Sequence, residues 1–118
     1  MTRRSAPVAT ERQEQAALFA WLDRVAPPGL FYTAIPGGDG RMTRTPGYRP
    51  GLPDVLLIYR GKPILIELKR RKGGRLSSHQ SDAHFAITHA GGLAVVSYGW
   101  DEARQFLEQI IPMRSANG

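Results

Sequence analysis

With 118 residues the chain amounts to about one domain, long enough to bury roughly two thirds of its unfolded surface around a single core. Its 16 Lys and Arg against 10 Asp and Glu leave a net charge of +6 and a pI near 10.3, which favours a polyanionic partner, nucleic acid before an anionic membrane surface. The lack of cysteine excludes disulfide frameworks, thiolate zinc sites and thiol nucleophiles and fits a reducing compartment, so any metal must sit on oxygen or imidazole ligands.

No apolar run approaches the ~18 residues of a spanning helix, and the basic start has no apolar segment behind it; a cytoplasmic protein with no membrane partner is expected. Residues 1–9 are polar and proline-containing and are expected to form a flexible basic arm. A helix follows, with "TERQ" at 10–13 as a capping box and "APPG" at 26–29 as its end. Its apolar stripe is Leu18, Leu22 and Val25. Carried back at helical spacing, that stripe lands on Gln15 and Glu11, which puts two polar groups on the face that should meet the core.

"LFYTAI" at 30–35 reads as a strand, and Pro36 to Pro53 as an irregular loop of a length that is usually functional in compact domains. The strands "DVLLIY" at 54–59 and "KPILIELK" at 62–69 are joined by Arg60 and Gly61 alone, which predicts an antiparallel hairpin. A basic turn, "RRKGGR" at 70–75, leads to a helix capped by Ser77 or Ser78 and closed by Gly91 and Gly92. Gln80, Ala83, Ile87 and Ala90 share its inward face. "LAVVSY" at 93–98 is a further strand and "DEARQFLEQII" at 101–111 a last amphipathic helix. The order is α-β-β-β-α-β-α, a single domain over 10–112, with 113–118 as a flexible tail.

The hairpin carries the first chemical signal. If Arg60 and Gly61 form its turn, Tyr59 faces Lys62, and five steps on Asp54 faces Glu67. Directly opposed residues on one face lie ~5 Å apart, and two like charges so placed are destabilising unless a cation joins them. Alternation along the second strand puts Leu65, Glu67 and Lys69 on one face, so an amine projects beside the two acids. Charges at strand ends often decorate a solvated face, but here the opposed acids, the inward Glu11 and Gln15 and the inward Gln80 all stand where one site would bring them together.

These residues resemble a known family. "GLPD" at 51–54, "ELK" at 67–69, "LSSHQ" at 76–80 and Gly91 look like the VRR-NUC branch of the PD-(D/E)XK nuclease superfamily. "ERQEQ" at 11–15 resembles that branch's first-helix Glu and Gln. "IPGG" at 35–38 resembles its Pro-Asn-Gly loop, with Gly37 where the family often has Asn. The similarity spans roughly residues 11 to 109. It implies an α/β protein with the PD-(D/E)XK restriction-endonuclease-like fold, a central mixed β-sheet flanked by helices. It further implies a metal-dependent DNA endonuclease in which Asp54 and Glu67 bind Mg²⁺ or Mn²⁺, with the Leu68 carbonyl completing the protein's ligands and Glu11 contributing directly or through water. By the same resemblance Lys69 is the catalytic lysine that orients or helps deprotonate the attacking water, and Gln80 is similar to the family's helix glutamine, which stands behind the ligands or positions the backbone. Small members of the family resemble Holliday-junction resolvases, so branched DNA and a homodimer are expected. Trp100, Phe106, Ile110 and Ile111 are the candidates for an apolar pairing patch, or else cap the core.

Arg41, Arg44, Arg49, Arg70, Arg71, Lys72 and Arg75 flank the proposed site and are expected to contact phosphates. His79, His84 and His89 are about 140° apart per step on a helix, which rules out one ligand cluster and leaves solvated or locally bonded histidines. "PGGDGR" at 36–41 lacks the order of a dinucleotide or P-loop signature and reads as a substrate loop. Two rival readings are a nucleic-acid-binding module that keeps a nuclease-like fold without catalysis, and a small α/β interaction protein whose acids are merely exposed.

Overall fold

The computed structural model describes residues 7–37 and 44–115. Arg41, the end of the "PGGDGR" loop, most of the expected basic arm and the last three residues lie outside them. The elements are α1 (Glu11–Val25), β1 (Leu30–Ala34), β2 (Val55–Tyr59), β3 (Lys62–Lys69), α2 (Ser78–His89), β4 (Leu93–Tyr98) and α3 (Trp100–Ile110). The expected order holds, with ends displaced by one residue at β1, β2 and α3.

The four strands form one mixed sheet in the order β1-β2-β3-β4, antiparallel for the first two pairs and parallel between β3 and β4. The parallel pair requires a crossover, and α2 supplies it. The β2–β3 turn is tight because Arg60 (φ 47°) and Gly61 (φ 83°) both adopt positive φ, the two-residue geometry that matches strand twist. Tyr59 therefore pairs with Lys62 and Val55 with Ile66, the register the turn length predicts.

One face of the sheet carries the core: Val55, Leu57, Ile64, Ile66 and Leu68 pack with Leu18, Trp21, Leu22 and Val25 of α1 and with Ala103 and Leu107 of α3. The other face carries Glu67 and Lys69 by alternation, and α2 lies over that face, since its Gln80 bonds Lys69. Past α3, Met113 packs against the core, and the Arg114 N–H donates to the Val25 carbonyl at 2.8 Å. Among the described residues no helix is long and apolar enough to cross a membrane.

Candidate active site

Asp54 is held by backbone bonds on both sides. Its N–H donates to the Ile66 carbonyl at 3.0 Å and its carbonyl accepts from the Ile35 N–H at 2.7 Å, so it is tied to both neighbouring strands just before β2. The paired register ends at Val55 and Ile66, and the Asp54 carboxyl lies against that of Glu67. Asp54 Oδ2 accepts the Leu68 N–H at 2.7 Å. In an extended strand the N–H and C=O of one residue leave on the same edge, so the Leu68 carbonyl also leaves toward Asp54.

Glu67 is 1% exposed, and its Oε1 has no hydrogen-bond partner. Burial, then contact with Asp54, pushes its carboxyl up to about 9; Lys69 pulls it down, and the charge of Glu11 adds a smaller upward push. A buried acid in this state holds its proton against a neighbouring carboxylate until a cation takes the proton's place.

Lys69 is 8% exposed. Its Nζ donates to Gln80 Oε1 at 3.0 Å and stands 4.0 Å from Glu67 Oε2. Gln80 is oriented by its own helix start. Ser77 is the N-cap of α2, the Gln80 N–H donates to Ser77 Oγ at 3.2 Å, and Gln80 Oε1 accepts the Ser77 N–H at 2.9 Å. Two glycines permit the close approach that brings these groups together. At Gly51 (φ 85°) a Cβ would lie 2.2 Å from the His79 carbonyl oxygen, so the "GLPD" segment crosses the first turn of α2 where only glycine fits. At Gly74 a Cβ would lie 2.8 Å from Lys69 Cβ, so the basic turn folds back over the lysine stem.

A groove of about 370 Å³ opens over these groups, lined by Asp54, Glu67, Gln80, Glu11, Tyr48 and His79 among others. It joins a second hollow that adds Arg12 and Gln15 while sharing Glu11 and Asp54. Glu11 is exposed and Gln15 half-buried, so the polar extension of the α1 stripe ends at the groove instead of in the core. No group of three or more His, Asp or Glu side chains stands at metal-holding spacing among the described residues. The anionic set is thus the Asp54–Glu67 pair, with an orphaned buried oxygen and a backbone carbonyl beside it. An all-oxygen set of this kind fits a hard divalent cation.

Of the cationic residues expected around the site, Arg44, Arg49, Arg70, Arg71, Lys72 and Arg75 are all exposed. Arg49 folds back on its own loop, Nη1 donating to the Gly47 carbonyl at 3.2 Å. Arg71 has a structural duty: its Nε donates to Glu14 Oε2 at 3.2 Å, and its stem packs under Gly99, where a Cβ would come within 2.9 Å of Cγ.

Glu14 and His84 were not among the expected site residues. Glu14 is 2% exposed and also accepts the Trp100 N–H at 2.9 Å through Oε1, capping α3 in place of Gly99, which has no side chain to do so. The stripe 14, 18, 21, 25 is legible in sequence, but the partners lie 57 and 86 residues away. His89 stacks on Phe85 at 5.8 Å, as a locally engaged histidine should, whereas His84 departs from expectation because its Nε2 is buried without a partner. The apolar patch expected near the last helix is absent as such: Ile111 is buried, Trp100 and Phe106 pack against the core, and only Ile110 is exposed.

Among solved structures, the chain is similar to a VRR_NUC domain protein, with a TM-score of 0.72 over 87% of this chain and 88% of that one at 20% identity. No family model matches the sequence, and no curated protein matches it. The structural likeness shows the fold: this chain shares with that protein a mixed sheet flanked by helices, as the resemblance implied.

Proposed function

We propose that this chain, built on the fold of a VRR_NUC domain protein, is a metal-dependent endonuclease that hydrolyses phosphodiester bonds in DNA. The observation that carries the reading is the buried, partnerless Glu67 Oε1 beside Asp54, with a lysine bound on the same face. A buried acid with one oxygen unmatched costs stability, and a structure retains such a group where a ligand completes it.

Asp54, Glu67 and the Leu68 carbonyl would hold Mg²⁺ or Mn²⁺, and the exposed Glu11 would reach it through water. The ion, when bound, supplies Lewis-acid polarisation of the phosphate and charge for the transition state. Lys69, which cannot ligate a cation while protonated, holds the attacking water in line with the phosphorus and donates to the charge that develops. Gln80 fixes the amine through its Oε1, and the capping box fixes Gln80. Arg44, Arg49, Arg70, Lys72 and Arg75 position the backbone of the nucleic acid without reading sequence. The same reading extends to branched DNA cut by two chains across a two-fold axis, with a pairing face other than the largely buried C-terminal residues.

The test is a cleavage panel in Mg²⁺ and Mn²⁺ over single strands, duplexes, flaps, nicks and four-way junctions, with light scattering of the protein at micromolar concentration. Metal-dependent cutting that EDTA stops, strongest on the junction and delivered by a dimer, is the expected result. DNA binding without cutting on any substrate would favour the non-catalytic module, and equal cutting of linear duplex by a monomer would remove the branched-DNA and pairing claims.

A further inference from the structure

Lys69 is a buried cation short of acceptors. An ammonium has three donors, and among the described residues only Gln80 Oε1 accepts one, at 3.0 Å, while also serving the Ser77 N–H. Glu67 Oε2, at 4.0 Å, is beyond hydrogen-bond reach. His84 has the complementary deficit. It stands one helical turn after Gln80 on α2, on the same side, and its Nε2 is sealed from solvent with no partner. Burial, and then the charge of Lys69, lower the pKa of His84, so the ring stays neutral and the two groups are near enough to act on each other.

Resting on the nuclease reading of this site, we propose that His84 is a positioning residue for Lys69. Its neutral ring carries the proton on Nδ1 and offers Nε2 to the ammonium, so that Gln80 and His84 form a two-acceptor cradle. The lysine stem is flexible, so its Nζ has the rotational freedom to take a second acceptor on the Gln80 side of α2. The arrangement uses each group's deficit to meet the other's, and it places the amine by two bonds instead of one, which narrows the positions from which Lys69 can hold a water. Alternative roles fit less well: Nε2 is closed to solvent, which removes it from direct contact with substrate, and a ring serving only as packing would leave a buried nitrogen unmatched.

Long-range ¹⁵N correlation of the metal-free wild-type protein reads the tautomer directly, and exchange of the Lys69 ammonium protons reads how firmly the amine is held. The expected result is a protonated Nδ1, a bare Nε2 and slow Lys69 exchange. In His84→Leu, exchange becomes fast and kcat falls about tenfold with KM unchanged, while His84→Gln, which restores an acceptor, recovers most of both. A protonated Nε2, or His84→Leu matching His84→Gln in kcat and in Lys69 exchange, would overturn the inference. If His84→Leu does not fold, the wild-type tautomer and the His84→Gln comparison decide it. A wild type that cuts no DNA would count against the nuclease reading alone, since the tautomer and exchange readouts need no activity.

Discussion

Among the described residues two carboxylates are buried, and they are treated in opposite ways. Glu14 is fully matched: one oxygen takes the Arg71 Nε–H and the other the Trp100 N–H, so the acid ties α1 to the end of β3 and to the start of α3. Glu67 is unmatched: it faces another acid, its nearest cation is 4.0 Å away, and one oxygen has nothing to accept from. The first arrangement is how a fold makes a buried charge tolerable, and the second is how a fold keeps a charge available for a ligand. The two are linked in space, because Glu14 clamps Arg71 two residues after Lys69, and Gly99 between them donates its N–H to the Lys69 carbonyl at 2.9 Å. Stability is supplied at one acid and held back at the other.

Mutating each acid should separate the two roles. Glu67→Gln or Asp54→Asn should lower cleavage by at least ~10³-fold in single-turnover assays, while DNA binding at low salt, which comes from Lys and Arg on phosphates, is largely kept. Lys69→Ala should follow with a loss of roughly 10²–10³-fold in saturated turnover, and metal titrations should move little beside it. Glu14→Ala should reverse the pattern. Denaturant unfolding should show about 2 kcal/mol of stability lost, since a helix cap and a charged hydrogen bond go together, yet the molecules that remain folded should still cut. A Glu14 variant that is stable but inactive would break the comparison.

A smaller effect lies in the pH dependence of the metal-free protein. The Glu67 carboxyl is raised from 4.5 to about 9, so over that range the folded state holds a proton that the unfolded chain has released. Its contribution is fully present below the unfolded value and is lost as pH rises through the folded one. His84, lowered from 6.5, acts with the opposite sign: its contribution is present above 6.5 and lost as pH falls. Above pH 6.5, therefore, only the Glu67 slope is left of these two, and stability should decline with pH by up to ~1.4 kcal/mol per unit. Glu67→Gln should flatten that decline in thermal melts without metal. Smallest of all, replacing Arg70, Lys72 or Arg75 with Ala should each reduce the salt slope of duplex binding by about 0.9, with little change in turnover at saturation.

The unmatched acid was more legible in the sequence than the matched one. The meeting of Asp54 and Glu67 was legible because hairpin register is local: once Arg60 and Gly61 close the chain, the pairing is fixed up to Val55 and Ile66, the residues next to the two acids. Gln80 was legible by helical periodicity, as a polar residue sharing the inward face of its helix with Ala83, Ile87 and Ala90, whereas its capping-box bonds to Ser77 came only with the structure. Glu14 was not, although it continues the core stripe of α1, because the groups that make its burial tolerable come from Arg71 and Trp100 and no spacing rule connects them. His84 escaped for the same cause, its relation to Lys69 being set by how α2 lies on the sheet. The C-terminal residues stayed open for a related reason: an amphipathic helix reveals an apolar face, but whether that face meets the core or a partner depends on the packing of α1 against α3, and here the core takes most of it.

The central claim is that Glu67 is left unmatched so that a cation can displace its proton, and calorimetric titration of Mn²⁺ into the metal-free protein at pH 7, repeated in buffers of different ionisation enthalpy, tests it most directly. Binding with release of about one proton per ion, lost in Glu67→Gln, is the predicted result. Binding without proton release, or binding that Glu67→Gln leaves unchanged, would contradict it.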